Sequence, residues 1–152
     1  MKWLLIVVGG LGLLIAIVAA IGATLPRNHT ASRTLRVRRP PQEAWTAITQ
    51  AMSASDVPVD IVESDPPRKL VSKVKETEKM FGGTWTVAIA PVDPSTSSGQ
   101  VASTITITED GWVGNPIFRF VSRFLMGHHA TMDGMLKSVA KQFGEEPSLS
   151  GE

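Results

Sequence analysis

The stretch TLRVRRPPQEAW, residues 34–45, sets a strand directly before a helix. Residues 34–38 alternate polar and apolar side chains, which is typical of a strand with one face toward water. Pro40 and Pro41 end that alternation, and a proline fits the first turn of a helix because no partner exists there for a backbone N–H. Glu43 suits the positive end of a helix. Apolar residues then recur at helical spacing: Ala44, Trp45, Ile48, Ala51 and Met52. We therefore predict a strand and then a helix that ends near residues 53–55.

Four further segments alternate in the same way, and turn-forming residues separate them. They are residues 57–63, 70–77, 84–89 and 100–109. Pro66-Pro67 and Gly82-Gly83 are predicted to reverse the chain, and the polar stretch 91–99 is interpreted as a plain hairpin connection. Because these strands are close in sequence and joined by short links, we expect an antiparallel sheet.

From residue 115 onward the hydrophobic period changes from 2 to about 3.6 residues. The positions that share one face follow each other at steps of three and four: Ile117, Val121, Phe124, Leu125, His128, Met132, Met135, Leu136, Val139 and Phe143. This pattern predicts one long amphipathic helix that Gly144 terminates. Residues 147–152 are predicted to form a polar tail.

The run Trp3–Leu25 contains 23 residues and no charged side chain. At about 1.5 Å per residue it reaches roughly 34 Å, enough to cross a hydrocarbon core of about 30 Å. A cleaved secretory signal is the alternative, but its apolar region is usually about 7–15 residues long. We therefore predict a single-pass anchor in the cell membrane over residues 1–26, a linker over 27–31 and one domain over 32–146.

Charge bears on orientation and on partners. The basic residues that follow the apolar run favour a cytoplasmic domain by the positive-inside tendency, although most of them also belong to the first strand. They are Arg27, Arg33, Arg36, Arg38 and Arg39. Without Lys2 and Arg27 the domain has 13 basic and 14 acidic residues, a balance that argues against a nucleic-acid surface. The chain has no cysteine, so it depends on no disulfide.

Two stretches resemble a known superfamily. Residues 34–45 are similar to the opening strand, proline turn and first helix of START-like proteins, and residues 106–120 resemble the last strand and its entry into the terminal helix. The resemblance covers residues 32–146 and points to the SRPBCC superfamily of polyketide cyclases, dehydrases and lipid-transport proteins. It implies an α+β helix-grip fold, in which an antiparallel sheet wraps around a long C-terminal helix. The chain departs from the family pattern in showing about five strands instead of six or seven.

The resemblance also implies a cavity between sheet and helix that binds a hydrophobic small molecule or lipid. The residues expected to contact that ligand are Trp85, Val87, Ile105, Ile107, Phe124, His128, Met132 and Met135. Ordinary core packing is an equally physical reading of most of them, and His128 is also interpreted as a core histidine. The neighbouring His129 is expected to form a surface pair with Asp133, four residues further along the helix.

Two other functions remain open. In a cyclase- or dehydrase-type enzyme, His128 would act as acid or base, although a binding protein fits the residue chemistry better than a catalyst does. An interaction module with a filled core, tethered at the membrane, is the other possibility. We expect no metal and no cofactor, because the sequence contains no cysteine cluster, no His-Glu-x-x-His and no glycine-rich phosphate loop. The oligomeric state is not predicted.

Overall fold

The computed structural model describes residues 1–55, 57–75, 81–93, 95, 100–127 and 129–151. The helices are α1 (Lys2–Thr24), α2 (Pro41–Ser53), α3 (Pro116–Val121) and α4 (Ala130–Gln142), and a π-helical turn, Ser122–Met126, follows α3. The strands are β1 (Asn28–Val37), β2 (Val59–Asp65), β3 (Lys69–Val74), β4 (Phe81–Pro91), β5 (Ser103–Val113) and β6 (Leu149–Ser150).

The strands form one antiparallel sheet in the order β2-β3-β4-β5-β1-β6. β1 pairs with β5 along its whole length, from Asn28 opposite Trp112 to Val37 opposite Ser103. β5 also pairs with β4, so it lies between the two long neighbours. The predicted α+β class and the antiparallel sheet are confirmed.

Helices α2 and α4 pack against each other and against one face of the sheet. The largest side chains that are completely buried between these layers are Leu35, Ile48, Ile105, Ile107, Met132 and Leu136. Every second residue of β3 and β4 faces this layer, including Leu70, Ser72, Val74, Trp85, Val87 and Ile89. The core therefore lies where the alternation in the sequence places it.

Both ends of the domain contain more sheet than expected. β1 begins at Asn28, so the linker predicted over residues 27–31 is wrong from residue 28 onward, because residues 28–31 pair with residues 109–112 of β5. The polar tail predicted over 147–152 contains β6, which pairs with Thr34 and Leu35. Leu149 packs partly buried against the core, and this apolar contact accounts for the sixth strand.

Gly82 and Gly83 lie inside β4 and do not form the predicted reversal. A Cβ atom at Gly82 would lie 2.9 Å from Trp112 Nε1, and one at Gly83 would lie 2.5 Å from the carbonyl oxygen of Asp110. Glycine is required here because a neighbouring strand approaches too closely for a side chain.

The single long C-terminal helix is wrong, and the helix-grip description fits only coarsely. The Asn115 side chain caps α3 by accepting hydrogen bonds from the backbone N–H groups of Ile117 (2.8 Å) and Phe118 (3.3 Å). After the π-turn, Gly127 adopts φ 72° and ψ 150°, a conformation that belongs almost entirely to glycine. The helical spacing of apolar residues continues across Gly127, but the helical backbone does not. Helix α4 therefore contains only 13 residues.

Helix α1 is long and apolar enough to cross a membrane, and a signal sequence has the same properties. Most of its side chains are exposed, but its last turn packs against α3. Gly22 touches the backbone of Pro116 so closely that an added Cβ would overlap the Pro116 carbonyl group. Only three residues separate α1 from β1, so the helix and the sheet are joined both by a short connection and by a packed contact.

Candidate ligand-binding site

A cavity of about 280 Å³ lies where β4 and β5 meet α3, the π-turn and the start of α4. We call it the apolar cavity because its walls are mostly apolar. Its lining residues are His29, Val57, Val74, Phe81, Gly82, Trp85, Glu109, Trp112, Val113, Phe118, Ser122, Gly127 and Thr131. Its volume is close to the lower end of the roughly 300–1,000 Å³ that is usual for small-molecule sites.

Two glycines give the rings in this cavity their positions. The Trp112 indole passes over Gly82, where no side chain blocks it. The His29 imidazole lies over its register partner Gly111, whose added Cβ would fall 2.6 Å from His29 Cε1. Because these glycines leave space beside the neighbouring strand, both rings can lie in the wall of the apolar cavity.

The apolar cavity also contains a few polar groups. His29 Nε2 lies 3.5 Å from Glu109 Oε1, and both side chains are mostly buried. Trp85 is 4% exposed, and its indole N–H has no hydrogen-bond partner among the residues that the structure describes. The pair His29 and Glu109 is therefore the polar feature that a ligand in this cavity could contact, because the buried indole N–H of Trp85 has almost no accessible surface.

A second cavity of about 220 Å³ adjoins the first and shares His29, Val113 and Ser122 with it. We call it the basic cavity because Arg27, Arg119 and Arg123 line it. Its remaining lining residues come from the segment after α1 and the start of β1: Leu25, Pro26, Asn28 and Thr30. The two cavities are therefore neighbours, and one is mostly apolar while the other is positively charged.

The expected ligand residues divide into two groups. Trp85 lines the apolar cavity, whereas the others on the sheet and on α4 belong to the packed core and line neither cavity: Val87, Ile105, Ile107, Met132 and Met135. Helices α2 and α4 fill the space above the middle of the sheet. The apolar cavity lies at the end of the sheet near α1, between the sheet and the segment that was predicted to form the C-terminal helix.

The remaining expected residues are located elsewhere. Phe124 is 58% exposed on the π-turn, with its ring centroid 4.9 Å from that of Phe120. His128 lies outside the described residues. The pairing expected between His129 and Asp133 is wrong, because the Asp133 carboxylate accepts a 3.0 Å hydrogen bond from Arg33 Nε on β1.

Sequence reasoning missed His29, Glu109 and Trp112. Their proximity depends on the pairing of β1, β5 and β4, and no local pattern indicates that pairing. Within the described ranges, no group of three or more His, Asp or Glu side chains is arranged to hold a metal ion. Hydrogen bonds from Ser95 lower the pKa of Asp93, but Asp93 belongs to the connection after β4 and lines neither cavity.

Comparison with known proteins finds similarity in structure alone. No protein-family profile and no curated protein sequence matches the chain. A conserved protein from Geobacillus kaustophilus is similar with a TM-score of 0.60 at 10% identity, over 80% of this chain and 99% of that one. A protein from Thermobifida fusca gives 0.53 at 15% identity over 76% and 93%, and an HSP90 activator from Plasmodium falciparum gives 0.50 at 14% identity over 81% and 100%. At such low identity these likenesses show the fold alone, so the chain is an α+β protein with an antiparallel sheet of coarse helix-grip type.

Proposed function

We propose that this chain is a membrane-anchored START-like protein that binds a hydrophobic small molecule or lipid. The apolar cavity is the site, and the observation that carries the proposal is its mostly apolar lining around the pair His29 and Glu109. Small-molecule sites are typically concave and mostly apolar, with a small number of polar groups that point toward the ligand.

The position of the cavity supports a ligand that comes from a bilayer. Phe118 and Ser122 line it from α3 and the π-turn, and α3 packs against the end of α1. The same segment exposes apolar side chains of Ile117, Phe118, Phe124 and Leu125. If α1 crosses a membrane, this segment lies at the membrane surface, and an apolar molecule reaches the cavity without crossing much water.

The proposal is tested on the full-length chain in a nonionic detergent. The delipidated protein is incubated with a total polar lipid extract, and native mass spectrometry records the retained adducts. Ser122→Phe places a ring in the cavity, and Ser53→Phe adds the same ring at the exposed end of α2. We expect Ser122→Phe alone to lower retention about tenfold, equivalent to about 1.4 kcal/mol.

Two results would contradict the proposal. Wild-type protein that retains no adduct lacks the binding function, and equal retention by Ser122→Phe places the binding outside the cavity, for example along α1. Thermal unfolding of both variants shows whether each is folded when it is compared with the wild type.

An interaction module tethered at the membrane is the second candidate. The packing of Ile105, Ile107 and Met132 in the middle of the sheet favours it, because these side chains are completely buried in one cluster of the described core. A similar fold occurs in an HSP90 activator, which acts on another protein. Failure of the wild type to retain any adduct would favour this candidate. The enzyme alternative depends on His128, which lies outside the described residues, and it stays a prediction.

A further inference from the structure

We infer that the ligand is a lipid whose anionic, phosphate-bearing headgroup occupies the basic cavity while its apolar part enters the apolar cavity. The inference rests on the proposed function and names the ligand class for that same site. The arginines of the basic cavity would bind the phosphate, and Trp85 would line the space for the apolar part.

The basic cavity is rich in positive charge. Among the residues that the structure describes, Arg27, Arg119 and Arg123 line it and neither Asp nor Glu does, although Glu109 lies 3.5 Å from the lining His29 and Asp110 accepts a hydrogen bond from the lining Thr30. Other arginines of the fold pair with carboxylates, as Arg33 does with Asp133 and Arg68 with Asp65. In the part of the chain that the structure describes, no carboxylate forms an ion pair with Arg27 or Arg123.

Arg119 gives the second, independent observation. Its side chain is only 8% exposed, and its two terminal nitrogens donate to the neutral carbonyl oxygens of Leu25 and Gly114. Its Nε is buried and has no hydrogen-bond partner within the described ranges of the chain. A buried cation that meets only neutral acceptors lacks the counter-charge that normally offsets its desolvation, and a bound anion would supply it.

The chemistry of the arginines and the position of the basic cavity together favour the phosphate group of a lipid. Guanidinium groups bind phosphate through paired N–H donors, and such charge-assisted bonds are stronger than neutral ones. Residues 25–27, which directly follow α1, line the basic cavity. For a helix that crosses a bilayer, this is the level of the headgroups. Because His29, Val113 and Ser122 line both cavities, the two lie close enough for one lipid to reach both.

The test compares two lipids with identical chains on the full-length protein in nonionic detergent. Dioleoyl phosphatidic acid and dioleoyl phosphatidylcholine are supplied in equal amounts, and native mass spectrometry records which one is retained. The site variant is Arg27→Gln with Arg123→Gln. The control is Arg36→Gln with Arg38→Gln, which removes the same charge from exposed positions roughly 30 Å away, near the other end of β1.

We expect phosphatidic acid to be retained in preference, and the site variant alone to reduce its retention about tenfold. If both lipids are retained equally and Ser122→Phe lowers the retention of both, the headgroup inference is overturned. The proposed function still stands in that case. Retention of neither lipid, with adducts still retained from the total polar lipid extract, would overturn the headgroup inference alone; retention of nothing from the extract as well would overturn both. An equal loss in the control variant would mean general attraction to anionic lipid and would overturn the assignment of the site.

A third arm separates a lipid headgroup from free phosphate. Inorganic phosphate is added to the complex with phosphatidic acid. Release of the lipid only at a large excess of inorganic phosphate supports the inference, because the apolar part then contributes to binding. Release at a concentration comparable with that of the lipid identifies a soluble-phosphate site and overturns the lipid assignment.

Discussion

Arg119 Nη1 donates a 2.8 Å hydrogen bond to the carbonyl oxygen of Leu25, the residue that follows α1. Its Nη2 donates a 3.1 Å bond to the carbonyl oxygen of Gly114, in the turn between β5 and α3. One mostly buried side chain therefore joins the end of the apolar helix to the sheet.

Arg119→Ala should lower the free energy of unfolding by about 2 kcal/mol, because two carbonyl oxygens lose their donor and the packing of the side-chain stem is lost. Denaturation of the full-length chain in detergent, followed by tryptophan fluorescence, measures this change. Arg123→Ala removes an exposed arginine from the same cavity and should stay within about 0.5 kcal/mol of the wild type. Equal effects of the two substitutions would contradict the role of Arg119.

Gly22→Ala should separate α1 from α3. The added methyl group would overlap the backbone of Pro116, and backbone atoms cannot move aside as a flexible side chain can. We expect trypsin to cleave after Arg27 about tenfold faster, which corresponds to a loss of about 1.4 kcal/mol in protection. Gly12→Ala is the control, since nothing lies within 4 Å of a Cβ at that position. If both variants are cleaved at the wild-type rate, the contact does not hold the helix.

Gly127→Ala and Gly134→Ala should have opposite effects. Gly127 lies at φ 72° and ψ 150°, so alanine there should cost of order 1–3 kcal/mol. Gly134 lies within α4 with open space around its Cβ position, and alanine should stabilise the helix by about 0.5–1 kcal/mol. Thermal unfolding distinguishes the two. A Gly127→Ala variant as stable as the wild type would mean that α3, the π-turn and α4 can join into one helix.

Trp85→Phe should leave the ligand-free protein at least as stable as the wild type. The substitution keeps an aromatic ring but removes a buried N–H that has no partner in the described part of the protein. Trp85→Ala, by contrast, should cost about 3–5 kcal/mol because it removes most of a core side chain. Chemical denaturation of delipidated protein gives both values. A large loss of stability in Trp85→Phe would show that the indole N–H does have a partner in the folded protein.

The sequence was a good guide wherever side-chain periodicity and backbone agree. Helix α2 begins at Pro41 and ends at Ser53 as predicted, and the alternation of Trp85, Val87 and Ile89 identified the buried face of β4. The sequence pattern was misleading at Gly82, where it predicted a reversal of the chain, and at Gly127, where it predicted a continuous helix. Glycine is compatible with a reversal, a close approach of strands or a break in a helix, and only the tertiary neighbours decide among these.

The candidate site was much harder to predict. The sequence predicts Trp85 in the ligand-binding site, but it places His29 in a linker and Glu109 in an ordinary strand. The two meet because Gly111, opposite His29 in the register of β1 and β5, leaves space for the imidazole ring. Contacts across a sheet depend on long-range pairing, whereas periodicity reports only which face a residue occupies.

The contact between Gly22 and Pro116 has a mechanical consequence. A domain on a long flexible tether rotates freely above a bilayer, and each of its faces meets the lipid only part of the time. Here three residues of connection and a backbone-to-backbone contact fix the angle between α1 and the sheet. If α1 spans a membrane, its tilt in the lipid sets the height and direction of the cavity mouth, so bilayer thickness itself would regulate access to the site.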